Sequence, residues 1–257
     1  MFLSRFRVNT ARPGARRLLS SPQAMHAAVM SSFPHILPSA GPAPDGPRVL
    51  WRLDRRDCAE VLLFVVSPAR PDLTHLVEQA GWPAVATREE PGWQTRPYAP
   101  FLEGLTAGGH WGFRLTANPV HTIRRKEGEP RKLTAHVTPV HQMGWLLDEK
   151  RLARLGFRIQ EKPADRRLLP AGTTRQKRPH PGDRYELAIQ DSRSLTFDKR
   201  HAGKPVTLLT VTFEGRLEVT DPDALRRTLT QGVGRGRAYG CGLLTLAPIS
   251  STAPRAS

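Results

Sequence analysis

A glycine- and arginine-rich segment near the end of the chain has the residue types of an anion-binding loop. Residues 232–242 hold five glycines, and Arg235 and Arg237 lie between them. Glycine lets the backbone approach a ligand closely, successive free N–H groups form an anion-binding concavity, and guanidinium groups bind phosphate oxygens. No Gly-Lys-Ser/Thr follows, so the segment is not a nucleoside-triphosphate loop. The sequence predicts either a phosphate contact or a plain glycine turn before the apolar run 243–247.

His26 is the histidine that the sequence places best for proton transfer. It lies early on a predicted helix that Ser21 caps and Pro22 begins, one residue from the apolar stripe of Met25 and Val29. Imidazole exchanges a proton near neutral pH. Cleavage of RNA by its own 2′-hydroxyl needs a base, an acid and cations that stabilise the phosphorane. The same position also suits a purely structural histidine.

Two further segments are rich in cations and flank predicted turns. They contain Arg124, Arg125, Lys126, Arg131 and Lys132 in the first segment, and Lys199, Arg200 and Lys204 in the second. Such side chains either bind nucleic-acid phosphates or lie in solvated loops. No HExxH, GxSxG or Walker pattern occurs, and no set of carboxylates suggests a metal site. We therefore predict neither a metal nor a cofactor.

The charge of the chain points to a polyanionic partner. Thirty-nine Lys and Arg residues stand against 23 Asp and Glu residues, which gives +16. Residues 1–107 carry +3 of this charge and residues 108–257 carry +13, with every lysine in the second part. Cys58 and Cys241 are the only cysteines, which excludes a disulfide framework and favours a reduced, cytoplasmic location. No signal peptide or membrane span is predicted.

The predicted elements that position these residues follow the order β-α-β-β-α-β twice. The first unit has strands at 2–9, 49–53, 59–66 and within 93–105, with helices at 22–33 and 73–80, and the second has strands at 112–117, 157–160, 206–219 and 243–247, with helices at 141–155 and 222–230. Residues 12–17 are predicted as a basic loop, and 185–189 and 194–197 as two separate strands. This order indicates an α+β fold of two tandem ferredoxin-like (RRM-like) domains, at 1–107 and 108–257.

Four motifs, in order along nearly the whole chain, resemble the CasE family. They are MFLSR at 1–5, SPQAMH at 21–26, FRLTANP at 113–119, and FEGRLEV at 213–219 followed by GVGRGRAYGCGLLTLAP at 232–248. CasE is the CRISPR RNA-processing endoribonuclease of the type I-E Cascade complex. The resemblance implies two tandem ferredoxin-like domains and metal-independent cleavage at the 3′ base of the CRISPR repeat hairpin. The implied products carry a 5′-hydroxyl and a 2′,3′-cyclic or 3′-phosphate.

The resemblance also implies partners and residue roles. His26 takes the acid or base role, and Lys199 and Arg200 match a basic hairpin near the scissile phosphate. The RNA contacts are then Arg124, Arg125, Lys126, Arg131, Lys132, Lys204, Arg235 and Arg237. The expected partners are the repeat RNA hairpin and other Cascade subunits, with neither a membrane nor a small-molecule substrate.

One departure from the family pattern keeps a second function open. Some members have a tyrosine three residues before the histidine, where this chain has Gln23, which cannot titrate. A non-catalytic RNA-binding or scaffold protein on the same tandem fold is therefore the alternative. A DNA-binding module is a third, weaker alternative, because no helix-turn-helix or zinc motif is present.

Overall fold

The first part of the chain forms a four-stranded antiparallel sheet with helices packed on it. The structure is a computed structural model that describes residues 1–33, 46, 48–123, 131–167, 181–197 and 206–249. The elements of this part are β1 (Phe2–Val8), α1 (Pro13–Ser20), α2 (Pro22–Met30), β2 (Leu50–Arg55), β3 (Val61–Ser67), α3 (Thr74–Ala80), β4 (Trp93–Pro97) and α4 (Ala99–Glu103). Apolar residues of α1, α2 and α3 form one hydrophobic cluster with residues of β1, β2 and β3. Helix α2, which carries His26, is therefore fixed against the first sheet.

The second part forms a larger antiparallel sheet and a separate two-stranded ribbon. Its strands are β5 (His110–Ala117), β6 (Val120–Ile123), β7 (Lys132–Ala135), β8 (Phe157–Ile159), β9 (Leu187–Phe197), β10 (Val206–Val219) and β11 (Leu244–Pro248), and its helices are α5 (Pro139–Leu146), α6 (Glu149–Leu155), α7 (Pro181–Arg184) and α8 (Pro222–Gln231). Strands β6 and β7 pair with each other as the ribbon, and β9 joins the larger sheet by pairing with β10. Short 3₁₀ helices occur at Pro83–Val85, Ala164–Arg166 and Arg237–Tyr239.

Both sheets have the strand order of a ferredoxin-like fold. The first is ordered β2-β3-β1-β4 and the second β11-β5-β10-β8, so in each the first and third strands of the unit are central. The predicted α+β class with two tandem ferredoxin-like units is confirmed. One hydrophobic cluster includes Leu50 and Val66 of the first sheet together with Leu115 and Phe213 of the second. The domain boundary at 107/108, between α4 and β5, stays a prediction.

Buried Arg52 links the two sheets. Its side chain is 2% exposed and donates to both carboxylate oxygens of Asp54, at 2.6 and 2.9 Å. It also donates to the carbonyl oxygens of Arg114 and Leu243, at 2.8 and 2.9 Å, and to the hydroxyl of Thr245 at 2.8 Å. Strand β2 is thereby held against β5 and β11.

The predicted Ser21 cap is confirmed, and Asp221 caps α8 in the same way. The Ser21 hydroxyl accepts from the backbone N–H of Ala24 at 3.2 Å, and the Asp221 carboxylate accepts from those of Asp223 and Ala224 at 2.9 and 3.0 Å. Each cap is followed by proline at the first helical position, where no backbone donor is needed.

Three sequence predictions are wrong in local detail. The predicted loop at 12–17 overlaps helix α1, because Ala15 and Leu18 are buried against the sheet. The single helix at 141–155 is two helices, since Asp148 caps α6 by accepting from the N–H of Arg151 at 2.8 Å. The two strands at 185–189 and 194–197 are the continuous β9, which pairs with β10 along its length. The strand predicted within 93–105 is confirmed as β4, Trp93–Pro97, and α4 follows it.

Candidate functional site

His26 lies where the sequence predicts it, at the edge of the buried face of α2. Its neighbour Met25 is 1% exposed and Val29 is fully buried, whereas His26 itself is half-buried. Burial lowers the pKa of His26, because removing the ring from water disfavours the charged form. The neutral imidazole is therefore the dominant form of this side chain at neutral pH.

The ring of His26 has one hydrogen-bond partner that the sequence analysis missed. The indole Nε1–H of Trp51 donates to His26 Nδ1 at 3.4 Å. Trp51 lies on β2 and is 2% exposed. The two residues are 25 positions apart, and no local pattern joins a helix residue to a strand residue at that separation. A tryptophan within a short buried strand is the one available signal, because buried indole groups usually find an acceptor.

The glycine–arginine segment packs against α2 and β2. Its 3₁₀ helix, Arg237–Tyr239, lies between Gly236 and Gly240, both in the left-handed conformation, and contacts both elements. Arg235 is exposed, whereas Arg237 is half-buried and donates to the carbonyl oxygen of Gly232 at 3.2 Å. Burial lowers the pKa of Arg237, and the charge of Arg48 adds to the effect. The segment therefore adjoins the helix of His26, with Arg235 as its solvent-facing cation.

A cleft of about 580 Å³ opens beside this contact, between β2 and the β9–β10 hairpin. Trp51, Arg55, Arg114, Arg193 and Tyr239 are among its lining residues. Much of the charge inside is paired: Arg114 lies 3.2 Å from Asp54 and also pairs with Glu214, and Arg193 lies 2.7 Å from Asp191. Burial lowers the pKa of Arg55, and the like charge of Arg193 lowers it further. The cleft is polar but close to charge balance.

The predicted cations of the first basic segment lie partly on the β6–β7 ribbon. Arg131 and Lys132 are described and exposed. Arg124, Arg125 and Lys126 lie outside the described residues.

A stack of three histidines contains one residue of this ribbon. The rings of His121 and His136 are 4.3 Å apart, and those of His136 and His141 are 6.0 Å apart. Burial lowers the pKa of His136, and the charges of His121, His141 and Arg151 lower it further. The ring of His136 is therefore neutral at pH 7, and the exposed cations at this end of the ribbon are Lys132 of β7 and the preceding Arg131.

The cations of the second basic segment, Lys199, Arg200 and Lys204, lie outside the described residues. The residues that flank the segment, Phe197 and Val206, pair across β9 and β10. The Phe197 ring packs on the ring of Tyr239 at 4.9 Å. The described ends of this hairpin therefore adjoin the 3₁₀ helix that contacts α2.

The described residues contain neither a metal-ligand cluster nor a helix suited to a membrane. Within the described ranges, no three His, Cys, Asp or Glu side chains are grouped so that they could hold a metal ion. Across the same parts of the chain, every helix is too short or too polar to span a bilayer.

Known proteins match this chain over most of its length. A family model described as CRISPR associated protein matches residues 1–248. The CRISPR-associated endoribonuclease Cse3 of Thermus thermophilus is 31% identical over 96% of this chain and 100% of its own length. The CRISPR system Cascade subunit CasE of Escherichia coli is 28% identical over 78% of this chain and 89% of its own. The structure of Thermus thermophilus Cse3 bound to an RNA representing a pre-cleavage complex matches with a TM-score of 0.68 and 29% identity, covering 96% of this chain and 98% of that chain.

Proposed function

The chain belongs to the family of CRISPR-associated proteins, and from that premise we propose that it is a metal-independent endoribonuclease that matures CRISPR RNA. It cleaves the repeat RNA at the 3′ base of its hairpin, stays on the product and enters a Cascade complex in the cytoplasm. The observation that carries the proposal is the full-length similarity to an endoribonuclease whose structure holds a pre-cleavage RNA. The similarity to a Cascade subunit supports the assembly.

The chemistry proposed is an internal transfer at one phosphate. The 2′-oxygen next to the scissile bond attacks phosphorus, the bond to the 5′-oxygen breaks, and a 2′,3′-cyclic phosphate and a 5′-hydroxyl result. A base removes the 2′ proton, an acid supplies one to the 5′-oxygen, and cations stabilise the extra charge of the phosphorane. His26 exchanges a proton in this reaction, and Lys199 and Arg200 stabilise the phosphorane. The location of His26 beside the glycine–arginine segment supports this assignment.

Binding of the hairpin is assigned to the basic second domain, residues 108–257. Its cations include Arg124, Arg125, Lys126, Arg131 and Lys132 of the first basic segment, Lys204 of the second, and Arg235 and Arg237 of the glycine–arginine segment. The major groove of A-form RNA is deep and narrow, so these cations contact mainly phosphates and recognise the shape of the stem. The exposure of Arg131, Lys132 and Arg235 supports the assignment.

Gln23 is the residue on which the non-catalytic alternative rests. Its side chain cannot exchange a proton, so a second proton-transfer group must come from elsewhere in the chain if cleavage occurs. A protein that only binds the repeat hairpin and joins Cascade would need no such group.

Cleavage of a synthetic repeat RNA by the wild-type protein in EDTA separates the two functions. We expect cutting at the hairpin base, with the product ends given above. Once the cut nucleotide is mapped, the same RNA with a 2′-deoxy sugar at that nucleotide should bind and stay intact. Binding of the all-ribose RNA without cutting would favour the scaffold, and cutting of the deoxy RNA would exclude internal attack.

A further inference from the structure

We propose that Trp51 is a positioning residue that anchors His26 through Nδ1 and leaves Nε2, carrying hydrogen, as the nitrogen that faces the RNA. The inference deepens the proposed function and rests on it for the identity of the substrate. Its basis is the hydrogen bond from the indole N–H of Trp51 to His26 Nδ1 at 3.4 Å. An indole nitrogen donates and does not accept, so Nδ1 must hold a lone pair. In the neutral ring the proton is then on Nε2.

The surroundings of Trp51 hold its indole in place. Trp51 is 2% exposed on β2, an edge strand of the first sheet, where it pairs with Val65 of β3. The opposite side of the ring lies against Gly240, where a Cβ atom would lie 2.8 Å from Trp51 Cζ3. Gly240 also has φ = +81°, a conformation that side chains disfavour. Glycine at 240 therefore meets two requirements: it adopts the positive φ of the turn after the 3₁₀ helix, and it leaves room for the indole of Trp51.

This arrangement explains a part of the glycine–arginine segment that phosphate binding does not. Arg235 is exposed and available to a ligand, whereas Gly240 is buried and is not. Its contact is with the tryptophan that holds His26. The segment is thus connected to the candidate catalytic histidine by two successive contacts, Gly240 to Trp51 and Trp51 to His26.

The hydrogen bond has a chemical consequence for His26. In the neutral ring, Nε2–H donates a hydrogen bond to a phosphate oxygen or to the leaving 5′-oxygen. Because Nε2 already carries hydrogen while Nδ1 accepts from Trp51, the ring of His26 cannot accept the 2′ proton at Nε2. In the resting arrangement His26 is therefore a hydrogen-bond donor on the leaving-group side, and another group accepts the 2′ proton. Transfer of the Nε2 proton to the 5′-oxygen takes place from the imidazolium, after Nδ1 has taken up a proton and released Trp51, and leaves the ring neutral. Protonation of Nδ1 would break the bond, so Trp51 favours the neutral ring.

Burial is the cause of the lowered pKa of His26, and no charge among the described residues adds to it. The titratable groups on the elements around α2 are Arg16 and Arg17 of α1, Arg52, Asp54 and Arg55 of β2, His75 and Glu78 of α3, and Arg237 and Tyr239 of the 3₁₀ helix. Replacement of Trp51 changes both the hydrogen bond and the burial of the ring, so the tautomer of the neutral ring, rather than its pKa, reports the hydrogen bond.

The first test is the imidazole NMR spectrum of the RNA-free wild-type protein, with His26 assigned by its loss in His26→Ala. We expect the Nε2–H tautomer above the pKa of His26, and predominance of the Nδ1–H tautomer would overturn the proposal. Trp51→Phe keeps an aromatic ring at the site but removes the donor. It should raise the pKa of His26 and populate both tautomers.

The second test is cleavage of repeat RNA by the same variants. Trp51→Phe should lower the maximal single-turnover rate about tenfold through loss of ring orientation, with RNA affinity unchanged. The limb of the pH–rate profile that reports His26 should move to higher pH.

Trp145→Phe is the matched control, because Trp145 is also buried but stacks on Phe213. Equal effects of the two variants on rate and profile would contradict the proposal. If the wild type cuts no RNA, the proposed function fails, and the NMR test still decides the role of Trp51.

Discussion

At the scale of single residues, the surroundings of a charged side chain decide whether it is available to a ligand. Arg52 has the residue type of a phosphate contact, yet its donors are committed to Asp54, two backbone carbonyls and Thr245. Burial alone would raise the pKa of Asp54, but the hydrogen bonds and charges of Arg52 and Arg114 outweigh it and lower that pKa. Arg52 therefore contributes to the contact between sheets and not to the RNA-binding charge.

Arg52→Met should destabilise the protein by about 3–5 kcal/mol, because it leaves the Asp54 carboxylate buried with one of its two arginines missing. Urea unfolding at neutral pH measures this. Arg56→Met is the control, since Arg56 is half-exposed and lies 3.7 Å from Glu60; its effect should stay below about 1 kcal/mol. A small destabilisation by Arg52→Met would show that the buried ion pair does not hold the sheets together.

At the scale of elements, local signals are predictable from the sequence and close contacts between distant segments are not. Ser21 and Asp221 mark helix starts because a cap involves residues two or three apart. Helix α1 is missed because its arginines hide a short apolar stripe, Ala15 and Leu18. The contact between Trp51 and His26 depends on how a strand packs under a helix, which only the assembled fold determines.

Gly215, in the FEG motif of β10, is an element-scale case with a measurable consequence. A Cβ atom there would overlap the carbonyl oxygen of Glu186, which accepts from the N–H of Arg216 at 2.9 Å. Gly215→Ala should therefore destabilise the protein by about 1–3 kcal/mol in urea unfolding.

Gly144→Ala provides a control of opposite sign. Gly144 lies within α5, and a Cβ atom there meets nothing within 4 Å. Alanine should stabilise this helix by roughly 0.5–1 kcal/mol, because it has the higher helix propensity. If both alanine variants changed stability alike, close packing at Gly215 would not explain its glycine.

At the scale of the whole molecule, charge distribution and topology were accessible to sequence reasoning and the site geometry was not. The β-α-β-β-α-β order led to the observed strand orders of both sheets. The net charge of +13 in residues 108–257 indicates that this part of the chain binds a polyanion. The contact of the glycine–arginine segment with α2 could not be predicted, because more than 200 residues separate the two.

Binding of the repeat hairpin should depend steeply on salt. With six to ten phosphate contacts, affinity should fall by about 10³–10⁵ between 50 and 200 mM salt. Filter binding in EDTA over that range measures it. Replacement of both Arg131 and Lys132 by Ala should reduce the slope of log affinity against log salt by roughly 0.7–0.9 for each phosphate that is no longer neutralised. A wild-type affinity that changed little with salt would contradict a phosphate-dominated interface.

The most direct test of a catalytic His26 is single-turnover cleavage of a CRISPR repeat hairpin in EDTA by the wild type, His26→Ala and His75→Ala. His75 is the matched control, because its ring bonds to the backbone oxygen of Ala28 on the same helix α2, at 2.8 Å. We predict that His26→Ala lowers the rate by about 10²–10⁴ with RNA affinity retained, and that His75→Ala cuts normally. Normal cutting by His26→Ala, or an equal decrease in both variants, would contradict the catalytic role of His26.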